Sequence, residues 1–93
     1  MILILTQCFP SNLGGIESLV SNLALGLSKK EEVVVFADSY NILNDESYDK
    51  KHQNQILIKR FGGIKFLRRR KKIYQIKKFI KSSNIKLIIS DSW

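Results

Sequence analysis

"MILILTQCFPSNLGGIESLVSNLALGLSKKEEVVVFA", residues 1–37, sets two β-prone apolar runs on either side of a helical pattern. "ILILT" (2–6) is continuously apolar and ends in turn-forming residues, the mark of a strand covered on both faces. Ile16, Leu19, Val20, Leu23 and Leu27 then fall at i, i+3, i+4, i+7 and i+11, which predicts a helix of about four turns burying that stripe. Lys29 and Lys30 suit its carboxyl end, where the helix dipole favours cations. "EVVVFA" (32–37) reads as a second buried strand.

Working outward, residues 38–54 form a polar stretch read as an irregular crossover, long enough to hide a short helix. "QILIKR" (55–60) is a third, partly alternating strand and "KLIIS" (86–90) a fourth. Between them, residues 66–82 place Ile73, Ile76 and Ile80 on one helical face, with Phe79 beside it, among lysines and arginines. The order β-α-β, loop, β-α-β implies an α/β fold: a partial, doubly wound, Rossmann-like parallel sheet of strand order 3-2-1-4, with one helix on each face. Two helices cannot cover four apolar strands, so the fourth strand should present an open apolar edge. Residues 1–93 are accordingly expected to be one incomplete domain, with 1–37 as the first β-α-β, 38–54 as the polar crossover and 55–93 as the second β-α-β.

Composition narrows the class. The chain is 44% hydrophobic with one proline, as in globular proteins. "MILIL" is too short, and lacks the basic flank, for a signal peptide or membrane span, which favours a cytoplasmic setting. Cys8 is alone, so no internal disulfide forms, and no His/Cys spacing suits a metal. The net charge of +8 is unevenly held: residues 1–58 carry four basic and seven acidic side chains, residues 59–93 twelve and one. Such asymmetry points to an anionic partner: nucleic acid, a phosphorylated substrate or a membrane surface.

The glycine pair Gly14–Gly15 follows the first, central strand, where open α/β sheets bind ligands. Glycines there admit close backbone approach, and the free N–H groups of a helix start favour a phosphate. They serve equally as a helix entrance, with Gly14 as N-cap and Glu17 as the capping acid three residues on. Both readings stay open on geometry alone. Neither G-x-x-x-x-G-K-[ST] nor G-x-G-x-x-G occurs. Asp38 nevertheless stands where a ribose-binding acid would in a dinucleotide fold, or serves as a strand-ending turn residue. A non-catalytic module binding a dinucleotide or nucleic acid is therefore the alternative.

Pro10, Gly14, Gly15 and Glu17, on a strand-loop-helix followed by "LVSNLALGLS" and "EVVVFA", resemble the opening of the family-4 retaining glycosyltransferases of the GT-B fold. The resemblance is close over residues 1–37 and looser to the end of the chain. It implies the amino-terminal, acceptor-side domain of an enzyme that transfers sugar from a nucleotide-sugar donor to a glycan or lipid-linked acceptor, without a further cofactor. Gly14 and Gly15 would approach the donor diphosphate. The carboxyl-terminal domain that supplies most donor contacts is not within these residues, so the resemblance implies no activity for them alone. The chain departs from the family pattern in two places. Glu31 and Glu32 replace a usual Gly-His before the second strand. Ser90-Asp91-Ser92-Trp93 follows the fourth strand, where the family commonly has a histidine. Asp91 is the candidate there to orient an acceptor hydroxyl, against a plain turn residue, and His52 reads as an exposed loop residue.

The second half adds a partner. Arg68, Arg69, Arg70, Lys71, Lys72, Lys77, Lys78 and Lys81 have no acid at i±4 to relieve their repulsion, a cost that an anionic partner would remove. Lipid-directed members of the resembled family use basic amphipathic surfaces against anionic membrane, which makes these eight candidates for peripheral contact with the inner face of a membrane. A solvated lysine-rich face is the plain alternative. Nucleic acid fits less well, because Tyr74 is the one stacking candidate in the basic stretch and no binding motif is present.

Overall fold

β1 (Ile2–Leu5) and β2 (Val33–Asp38) are buried at every position, which is why both read as unbroken apolar runs. The computed structural model describes residues 1–7, 9, 15–39 and 42–90, with the backbone alone at Ile16, Ile42 and Leu43. Pro10, Gly14 and Asp91 lie outside the described residues. The described elements continue with α1 (Gly15–Leu27), α2 (Ile42–Lys51), β3 (Leu57–Phe61), α3 (Lys65–Ser82) and β4 (Leu87–Ser90). All strand pairs are parallel, in the order β3-β2-β1-β4, so the chain is an α/β protein with a partial Rossmann-like sheet.

Register divides the sheet into two faces. Ile2, Ile4, Val33, Val35 and Ala37 point to one side, where Val20 and Ala24 of α1 and Tyr48 of α2 pack on them with Phe9. Leu3, Leu5, Val34, Phe36 and Phe61 point to the other, under Ile76 and Phe79 of α3. Phe36 sits at the centre of that second core, edge-on to Phe61 at 5.5 Å and to Phe79 at 5.6 Å between ring centroids. Two helices therefore cover the first face and one the second, rather than one on each.

Two helix expectations change. The stretch 38–54 is not irregular, because α2 occupies most of it. Its inward positions are Asp45, Tyr48, Asp49 and, just past its end, His52: a helical period written in polar and aromatic side chains, to which a search for apolar periodicity is blind. In α1 the buried face is rotated from the leucine stripe. Glu17, Val20, Ser21 and Ala24 face inward, while Leu19 and Leu23 are exposed. The rotation brings Ser21 Oγ into a hydrogen bond with the Tyr48 hydroxyl of α2, and burial raises that phenol above its usual range. The expected open edge is present, since Leu87 and Ile88 of β4 are exposed.

At the amino ends of the strands, Lys86 Nζ donates to Glu31 Oε1 at 2.9 Å, tying the start of β4 to the turn before β2. That hydrogen bond and the lysine charge hold the Glu31 carboxyl below the usual carboxylate range.

Candidate functional site at the carboxyl end of the sheet

β2 ends in Asp38, whose carboxylate points to the α3 face beside Phe61 in register. α3 begins after Gly62–Gly63, and Gly63 takes φ +95°, a conformation that a side chain would strain. From there Arg68 and Lys72, one turn apart, lie on the inner face of the helix. Lys72 Nζ donates to Asp38 Oδ1 at 2.7 Å and to the Thr6 carbonyl at 3.3 Å. Arg68 Nε reaches Asp38 Oδ2 at 3.2 Å. The lysine side chain is 1% exposed and the aspartate 7%, so a charge-assisted clamp joins α3 to the ends of both central strands.

Two candidate contact residues are thereby corrected. Lys72 is buried and cannot touch a membrane, and Arg68 is turned inward into an ion pair. The physical reason is relief of charge across the fold: the acid missing at i±4 within the helix is supplied by β2. Arg69, Arg70, Lys71, Lys77, Lys78 and Lys81 remain exposed. Asp38 is equally changed in meaning. Its two carboxylate oxygens pair with Lys72 and Arg68, so the residue fastens α3 to β2 as well as ending the strand.

A second cluster lies on the opposite face at the same end. Arg60 of β3 grips Asp49 of α2 with two bonds, Nε to Oδ2 at 3.1 Å and NH2 to Oδ1 at 2.8 Å. Its NH1 donates to the Asp38 carbonyl at 3.3 Å and lies 3.5 Å from Asp45 Oδ1, while Ser39 Oγ donates to Asp45 Oδ2 at 2.9 Å. The guanidinium also stacks over Phe9, 5.5 Å from the ring centre. α2 is thus held by a planar fork together with the packing of Tyr48 on Phe9 and the first core. Arg60→Lys, which keeps the charge and loses the fork, should lower unfolding free energy by about 1.5–3 kcal/mol in urea titration.

His52 is half-buried rather than a free loop residue. Its ring centre lies 4.3 Å from that of Tyr48, and Nδ1 is 3.1 Å from the Tyr48 carbonyl, to which it donates when protonated there. Among the described residues no group of three or more His, Cys, Asp or Glu is placed to hold a metal ion.

Gly15 opens α1 behind β1, on the side of the sheet opposite the Asp38 clamp. A Cβ built on it meets nothing within 4 Å among the described residues. Packing against the described residues therefore does not demand glycine at this position. Glu17 stands in the first turn, 9% exposed, complementing the helix dipole. The Lys72 and Arg60 networks are what sequence reasoning missed. Only the pairing of a strand-terminal aspartate with an i, i+4 pair of cations hinted at the first.

A scan against protein-family models finds no match for this chain, and searches of curated proteins and of solved structures find none either.

Proposed function

We propose that this chain is the acceptor-side part of a GT-B glycosyltransferase, moving a sugar from a nucleotide diphosphate sugar to a glycan or lipid-linked acceptor once joined by a donor-binding domain. The observation that carries this reading is Gly15. It starts α1, the helix that follows a central parallel strand, and no described residue lies within 4 Å of where its side chain would stand. A glycine leaves room for a ligand's close approach, and the helix start directs N–H donors at an anion. Gly14, the other half of the proposed diphosphate loop, and Asp91, the proposed acceptor-orienting acid, complete the reading from outside the described residues.

Amide NMR spectra of the chain titrated with UDP, GDP and ADP and their glucose conjugates test this. At least one should shift Gly14, Gly15, Thr6 and Gln7 together, with millimolar affinity, because most donor contacts belong to the other domain. Gly15→Val should weaken that binding by tenfold or more, about 1.4 kcal/mol, without lowering the thermal midpoint. No response from these amides to any of the six compounds would overturn the reading.

A further inference from the structure

We infer that Arg60 and Tyr48 are positioning residues for the connection between β1 and α1: by holding Phe9 they make α2 the element that sets where Gly15 stands. The inference deepens the sugar-transfer reading and rests on it for the ligand alone, since the positioning is read with no nucleotide present.

The connection leaves β1 from a fixed point. Thr6 N–H donates to the Phe36 carbonyl at 3.0 Å, and the Thr6 carbonyl accepts from Lys72 Nζ, so β2 and α3 hold the end of the strand. Soon after, Phe9 is fully buried in the first core, although connecting segments ordinarily run over the surface. Two groups close on its ring. The Arg60 guanidinium lies 5.5 Å from the ring centre, and the Tyr48 ring meets it in a T-shaped contact, 5.5 Å between centroids and 88° between planes.

Neither group is free to turn away. Arg60 is fixed by two bonds to Asp49 and one to the Asp38 carbonyl. The Tyr48 hydroxyl is hydrogen-bonded to Ser21 Oγ, and Ser21 belongs to α1, within two turns of Gly15. Both sides of the connection therefore rest on one network: Phe9 before it and Ser21 after it share Tyr48.

The composition of this network fits the role. Aliphatic side chains would bury a ring without fixing its direction, whereas the ring quadrupole favours a cation at its face and a second aromatic at right angles. A segment held in place before a ligand arrives loses less freedom on binding, which raises affinity without a further ligand contact. Arg60 and Tyr48 touch no ligand in this arrangement and act through Phe9.

Nitrogen-15 relaxation of the whole chain, without nucleotide, reads the positioning. In Arg60→Lys the backbone order parameters of Phe9 and Gly15 should fall from about 0.85 to below about 0.6. Phe79→Leu, which truncates the second core and lowers stability without touching Phe9, should leave both at their wild-type values. In titrations with UDP, GDP or ADP, whichever the wild type binds, Arg60→Lys and Phe9→Leu should each weaken binding at least tenfold, and Phe79→Leu less than twofold. Should Phe9→Leu misfold, Arg60→Gln takes its place. Loosening at Phe9 and Gly15 in a chain that binds none of the three nucleotides would keep the positioning and remove the sugar-transfer reading. Order parameters that stay unchanged at Phe9 and Gly15 in Arg60→Lys, or fall only along α2, overturn the inference. So does undiminished nucleotide binding by both variants.

Discussion

Asp38→Ala should lower the unfolding free energy by about 3–5 kcal/mol, the cost of leaving a buried cation without its partner. Lys72 Nζ would keep only the Thr6 carbonyl, while its side chain stays 1% exposed. A chain of this size commonly has on the order of 5–14 kcal/mol of stability in total, so the variant would populate unfolded molecules at room temperature. Lys72→Met should cost less. It preserves the buried stem, removes the desolvated charge, and leaves Asp38 paired with Arg68, which is 23% exposed. Asp38→Leu combined with Lys72→Met should recover most of the loss, because an apolar pair of similar volume carries no desolvation cost. Urea unfolding of Asp38→Leu, Lys72→Met and their double variant gives the coupling energy. A loss under about 1 kcal/mol for Asp38→Ala would mean that the clamp is no stronger than a surface ion pair.

Phe36→Ala should produce a loss of similar size by a different mechanism, about 3–5 kcal/mol, from the transfer of a ring and the cavity it leaves. The ring is fully buried between two other aromatics, one on β3 and one on α3, and neither can close the gap without moving its own element. Because α3 rests on Phe36 through Phe79, the variant should also loosen that helix. Amide exchange should therefore rise along α3 before it rises along α1. Uniform acceleration in both helices would show that the two faces of the sheet unfold as one unit.

These two effects bear on α3 in distinct ways. The clamp sets the rotation of α3 and so decides which cations are presented outward. The aromatic cluster holds the helix down without selecting a face.

Much of the fold was legible because its strands are buried on both faces, and a strand so placed has no choice but to be apolar throughout. "ILILT" and "EVVVFA" permit little else, and two βαβ units beginning with a central strand lead to the order 3-2-1-4. α2 was not legible as a helix, since its inward side chains are Asp45 and Asp49, which satisfy Arg60, and Tyr48, which bonds Ser21 while packing on Phe9, so no apolar period marks it. The candidate site was legible in part. The place of Gly15 follows from strand order, but that no described residue crowds the space beside it needed the three-dimensional neighbourhood.

By itself the sequence determined the class, the parallel sheet, the position of the loop behind β1 and the surplus of positive charge in the second half, because periodicity and charge are local properties of a chain. Tertiary structure alone decided what each charge does. Arg68 and Lys72 look like their neighbours in "RRRKK" until β2 brings Asp38 beneath them. An ion pair between residues 34 apart in the chain is made only where the fold excludes water from both, and that decision turned two apparent contact residues into the anchor that aims the remaining six outward.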